Sequence, residues 1–177
     1  MKNFVICAIV LILVLFAGCE NNLDNSNRAD NVQISDCGGF ESVAATKLPG
    51  GETEDCSQLI VWNYDDSTGV LNVMNEAVRL NCCGEHSVMI RESDGGYEFN
   101  IIDKSEHGAR CDCTCSFDFG ADITEIDTSS VKLTVYTDVE EKTEKTLRWE
   151  GTLDLKQKSG TVVVKERTGD DCSEFPN

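Results

Sequence analysis

Basic side chains number only 15 against 32 acidic ones, histidines only two and prolines only two, in a chain of 177 residues with a net charge of −17. So acidic a surface repels phosphate, which excludes nucleic acid as a partner and disfavours anionic lipid headgroups; cations, basic partners and plain solubility remain compatible with it. The chain has no GxSxG elbow, no HExxH, no phosphate-binding loop and no GxGxxG, the short patterns that carry common hydrolytic and nucleotide chemistries. Asp24, Ser26 and Arg28 fall where an EF-hand loop would begin, but the arginine and the missing glycine exclude that calcium pattern. A calcium loop at Glu52-Thr53-Glu54-Asp55 has no matching motif. Carboxylate pairs such as Asp65-Asp66 and Asp170-Asp171 stand beside turn residues or near the chain's end, where solvated turns explain them.

A long helical stripe is also missing, and short runs alternating at period two take its place. Leu147, Trp149, Gly151, Leu153 and Leu155 share one phase; Val131, Leu133 and Val135 form another such set, and Tyr97, Phe99 and Ile101 a third. The pattern predicts strands at Phe40–Thr46, Gln58–Tyr64, Val70–Met74, Ala77–Cys83, Ser87–Arg91, Tyr97–Asp103, Cys111–Thr124, Val131–Thr137, Leu147–Leu155 and Thr161–Arg167, two of them merging to leave about nine. Turns are expected at Asp94-Gly95-Gly96, near Thr143-Glu144 and at Ser159-Gly160. Regular short strands without helices imply an all-β chain, an antiparallel β-sandwich of immunoglobulin-like or similar architecture, with a closed barrel as the alternative. The placing of Trp62 after Cys56, and of Trp149, does not reproduce the immunoglobulin cysteine and tryptophan spacing.

Lys2 precedes an uncharged run from Phe4 to Gly18, 15 residues, where a spanning helix needs about 20. Ala17-Gly18-Cys19 resembles the lipobox of bacterial lipoproteins, in which a cysteine thiol receives a diacylglyceryl group before cleavage; Phe16 stands where leucine is usual, beside Leu15. The resemblance implies a signal peptide over 1–18 and an exported chain lipidated at Cys19, held to the membrane by several acyl chains of the palmitate kind, since one chain alone binds marginally. Glu20 follows Cys19 instead of the aspartate that retains many such proteins at the inner membrane, which favours the outer membrane. An ordinary secretory peptide cut near Ala17 or Gly18, or an uncleaved short anchor, are the alternatives. The polar stretch Glu20–Asn31 reads as a tether, giving a lipidated cysteine and tether over 19–35 and one β-domain over 36–177.

Of ten cysteines, Cys7 would leave with the signal and Cys19 would take lipid. Cys37, Cys56, Cys82, Cys83, Cys111, Cys113, Cys115 and Cys172 remain, an even set that suits four disulfides in an oxidising compartment. Cys111, Cys113 and Cys115 share the phase of Phe117, Phe119, Ala121 and Ile123, which turns them toward the core. Same-face neighbours on a strand lie ~6.6 to 6.8 Å apart, at the outer limit for a disulfide, so the triplet must pair elsewhere. Cys82 or Cys83 is expected to supply at least one partner, and Cys37, Cys56 and Cys172 the rest.

Asn81-Cys82-Cys83 followed by the CxCxC strand ending in Phe117-Asp118 resembles a pattern in uncharacterised small bacterial lipoproteins, a likeness that covers about a quarter of the chain and implies no activity. The leading expectation is a non-enzymatic, membrane-anchored binding or envelope-associated module, with no cofactor and no protein or glycan partner that the residues name. One alternative is a Zn or Cu(I) site using Cys82, Cys83 and His86 with the triplet, above all Cys83, His86, Cys111 and Cys113; His107 precedes that triplet, and the plain reading leaves both histidines in loops. The other is a secreted hydrolase whose carboxylates cannot be singled out.

Overall fold

Period-two alternation lets a strand bury one face, and stacking two such faces removes both from water. The computed structural model describes residues 29–40, 56–93, 95–105, 110–140 and 142–166, and among these it places nine strands. In chain order they are β1 (Ala29–Ile34), β2 (Gln58–Asp65), β3 (Val70–Asn81), β4 (Gly84–Ser93), β5 (Gly96–Ser105), β6 (Thr114–Ile123), β7 (Ser130–Val139), β8 (Thr146–Asp154) and β9 (Ser159–Lys165). One sheet runs β1-β6-β3-β2-β9 and the other β4-β5-β7-β8, the sandwich that the patterning predicts. Ile60, Leu71, Val73 and Phe119 from the first sheet meet Ile90, Phe99, Ile101 and Leu133 from the second, all fully buried. Each side chain of that kind contributes about 1.5–3 kcal/mol on leaving water.

One pairing departs from the antiparallel expectation: β5 and β7 are parallel neighbours, from Gly96↔Lys132 to Asp103↔Val139. The chain leaves β5 for β6 in the opposite sheet and then returns to β7, so two reversals bring it back in its original direction. The predicted strands at Val70–Met74 and Ala77–Cys83 merge into β3 through a bulge, where Glu76 and Ala77 stand opposite the single residue Asp118. Ala77 adopts φ +54°, and Asp118 Oδ1 accepts its N–H at 2.8 Å while Oδ2 accepts that of Phe40, also at 2.8 Å.

Three other details differ from the pattern. Ala29–Ile34, inside the stretch expected as tether, is a strand on β6; its side chains are mostly exposed, so no alternation marks it in the sequence. At Ser159-Gly160 there is no turn: the chain reverses through a 3-10 turn at Leu155–Gln157, capped by Asp154 and closed by Lys158 at φ +66°, and crosses to the other sheet. Gly160 instead makes room for the Trp62 indole, whose Nε1 would lie 2.7 Å from a Cβ there. Leu147 is 54 % exposed because a bulge at Arg148 breaks its phase with Trp149, pairing it with outward Tyr136 while Trp149 opposes Val135. Of the strand expected at Phe40–Thr46, only Phe40 is described.

Candidate functional site

β3 ends at Asn81, and the next two residues, Cys82 and Cys83, turn the chain into β4. Across from them Cys111 and Cys113 lead into β6, whose Cys115 is already in the core. Three disulfides form a ladder there: Cys83–Cys111, Cys82–Cys113 and Cys37–Cys115, with Cα separations of 5.6, 5.7 and 5.5 Å. All three separations are ordinary for the bond. The triplet does not pair with itself, and both members of the Cys82-Cys83 pair bond to it. Cys56 is also disulfide-bonded, so every described cysteine is oxidised. Cys19, Cys172, His107 and Glu52–Asp55 lie outside the described residues.

Asn81 frames the ladder without a covalent bond. Its Nδ2 donates to the carbonyls of Cys111 at 2.7 Å and Cys113 at 3.2 Å, and its Oδ1 accepts the N–H of Cys83 at 3.0 Å. The amide therefore touches both strands of the ladder and the turn between its bonds. The sulfurs of Cys83, Cys111 and Cys113 all lie within 4.8 Å of one another, with Cys83 exposed and the other two half-buried.

His86 is not in a loop and does not join that sulfur group. It stands in β4, its side chain 7 % exposed, with its ring 4.3 Å from that of Phe117. Its Nε2 lies 3.4 Å from Asp103 Oδ1, out of line for a hydrogen bond. Asp103, 2 % exposed, is held by Arg110, whose Nη1 donates to Oδ2 at 2.9 Å and Nη2 to the Asp103 carbonyl at 3.0 Å. Burial, the largest influence, works to raise the Asp103 pKa, but its contacts with His86 and Arg110 outweigh it and hold the carboxyl below the ordinary value of 3.8. Sequence reasoning named Asn81 only as part of the Asn81-Cys82-Cys83 pattern, gave it no role, and passed over Asp103 and Arg110 as site residues. The signal for Asp103 was present: it continues the inward phase of Tyr97, Phe99 and Ile101, and a charge at an interior position demands a counter-charge.

Gly84 closes this cluster from above, since a Cβ there would fall on Asp103 Oδ1 and 2.7 Å from His86 Nε2. Gly84→Ala is accordingly expected to lower unfolding free energy by about 1–2 kcal/mol through overpacking, read as a shift in urea midpoint. An unchanged midpoint would mean that the carboxylate has room to move.

The outer face of the four-stranded sheet carries a shallow pocket of about 130 Å3, lined by residues including Glu98, Lys132, Thr134, Tyr136 and Glu150. Lys145 reaches over it, its Nζ 2.6 Å from Glu98 Oε2 and 3.8 Å from the Tyr136 ring centroid. The hydrogen bond from Lys145 holds the Glu98 carboxyl below its ordinary range. Glu150 Oε2 pairs with Lys132 Nζ at 3.3 Å and accepts from Thr134 at 3.4 Å. Both carboxylates are thus paired with neighbouring cations.

No protein-family model matches the chain, and neither a curated protein nor a solved structure does.

Proposed function

We propose that the chain is an exported lipoprotein, anchored through acyl chains on Cys19, whose disulfide-stapled β-sandwich serves as a non-enzymatic binding or envelope-associated module. The observation that carries this reading is the state of the cysteines: all seven described ones are disulfide-bonded. Disulfides of that density belong to chains that leave the reducing cytosol. The parity of the set supports the lipid, because assigning Cys7 to the signal and Cys19 to the anchor leaves eight cysteines. The acidic balance of the chain fits attachment by lipid better than attachment by charge. Of the two membranes, Glu20 after Cys19 favours the outer one.

Cys19→Ala tests the anchor. The parent chain is expected to fractionate with membranes and to incorporate labelled palmitate, and the variant to do neither; a variant that stays with the membranes would sink the lipid reading. Intact mass tests the cysteines in the same preparation. Four disulfides make the mature chain eight hydrogens lighter than its fully reduced form, and peptide mapping is expected to pair Cys56 with Cys172, the partner that remains once the ladder is formed.

A further inference from the structure

The geometry points to a second state of the ladder: we propose that, once Cys83–Cys111 and Cys82–Cys113 are reduced, Cys83, Cys111 and Cys113 form a thiolate site for one thiophilic d10 cation, Cu(I) or Zn2+. The inference does not depend on the lipid anchor. Its first basis is convergence, since three sulfurs from two separate bonds lie within 4.8 Å of one another. At Zn–S bonds of ~2.3 Å, ligand sulfurs of a tetrahedral site lie roughly 3.8 Å apart, so movements of about 1 Å bring the three into range.

The second basis is that the backbone stays in place without those bonds. Asn81 ties Cys83, Cys111 and Cys113 through three hydrogen bonds, and the Cys82 N–H donates to the Cys113 carbonyl at 3.4 Å. The β3–β6 pairing runs up to the site through Leu80↔Cys115 and Asn81↔Thr114. Cys37–Cys115 fastens the same strand from the other side, with Cys115 only 3 % exposed. Cys83 is exposed, which gives both reductant and ion a way in. Cys82, bonded to Cys113 in the oxidised ladder, lies outside the converging three, and His86 is engaged with Phe117 and Asp103.

The chemistry balances with a dithiol as reductant. Each disulfide takes two electrons and two protons from one dithiol, its S–S bond breaks to give two thiols, and the dithiol closes to its own disulfide. The cation then displaces the protons of the three thiols to solvent, and nothing further is oxidised or reduced. Oxidation of the ladder would return the sulfurs to disulfides and release the ion.

The test uses the purified full chain, reduced stepwise with a dithiol and supplied separately with Cu(I) and with Zn2+ under anaerobic conditions. Native mass spectrometry is expected to show one ion per chain, appearing only after four thiols are released and lost on reoxidation. Uptake of either ion supports the site, and their relative affinity identifies which the sulfurs favour. Cys83→Ser and Cys111→Ser are each expected to weaken binding at least tenfold. Asn81→Ala keeps every thiol and, in its oxidised form, is held folded by its disulfides; reduced, it too is expected to lose at least tenfold. Absence of uptake in competition with a weak chelator overturns the proposal. So does equal binding by Asn81→Ala, which would mean that a loosened segment captures metal without a framed site.

Discussion

Removing the Cys37–Cys115 bond by changing both cysteines to alanine should lower the free energy of unfolding by about 4 kcal/mol, the loop-closure value for the roughly 48 residues that remain in its loop when Cys82–Cys113 short-cuts the 78 between them. The same treatment of Cys83–Cys111 should cost only about 2 kcal/mol, although its separation of 28 residues would alone be worth about 3.6 kcal/mol. The difference comes from nesting. With Cys82–Cys113 in place, Cys83 and Cys111 are already neighbours in the unfolded chain, and their bond closes a loop of only a few residues. The reverse deletion, keeping Cys83–Cys111, should be equally mild, and removing both rungs should cost more than the two single losses added together. Urea unfolding followed through the fluorescence of buried Trp62 measures all four variants. If loss of Cys83–Cys111 costs as much as loss of Cys37–Cys115, nesting does not govern the ladder's stability. The stability that one nested bond adds to the other is small, which leaves that bond free to open.

Asp103→Ala should cost about 3 kcal/mol, because it leaves the Arg110 guanidinium without its counter-charge in a mostly buried position. Arg110→Ala should cost a similar amount for the converse reason, stranding a carboxylate that is 2 % exposed. Replacing both at once by Leu and Met, which pack without charge, should recover most of either loss. The pH dependence follows from the depressed Asp103 pKa. A carboxyl that holds its proton less tightly when folded contributes stability in full above its unfolded value of 3.8, and loses it as pH falls through the lower, folded value. The parent chain should therefore lose stability more steeply than Asp103→Ala below about pH 4, and the two curves should run parallel above it. Parallel curves throughout would show that the ion pair adds nothing linked to protonation.

Most strands could be found from their sequence because a half-buried strand must alternate, and Tyr97-Phe99-Ile101 or Phe117-Phe119-Ala121 leave no other reading. What escaped notice was structure whose cause lies across the sheet. β1 exposes most of its side chains and is held through backbone pairing on β6, so nothing in Ala-Asp-Asn-Val-Gln-Ile marks it. Leu147 keeps the correct phase in sequence and loses it to a bulge. Gly160 looks like a turn residue and is instead the floor beneath an indole. At the site, strand geometry already required the triplet to pair outside itself, but the choice of partners depended on which turn faced it. Asn81 had no signal of its own, because an asparagine before two cysteines gains its role only when the carbonyls of Cys111 and Cys113 arrive from about 30 residues away.

The pairing of β1 also sets a length. In a chain anchored at Cys19, a leash running to Ser35 would let the domain drift about 55–60 Å from the lipid, at ~3.5 Å per fully extended residue. Because Ala29 is already bonded to Ile123, only about ten residue steps remain, and the sheet's first strand stays within about 35 Å of the bilayer surface. A domain of this size is itself roughly that wide. On that proposal, leash and domain together set how far from the bilayer the module can meet a partner, about 70 Å in all.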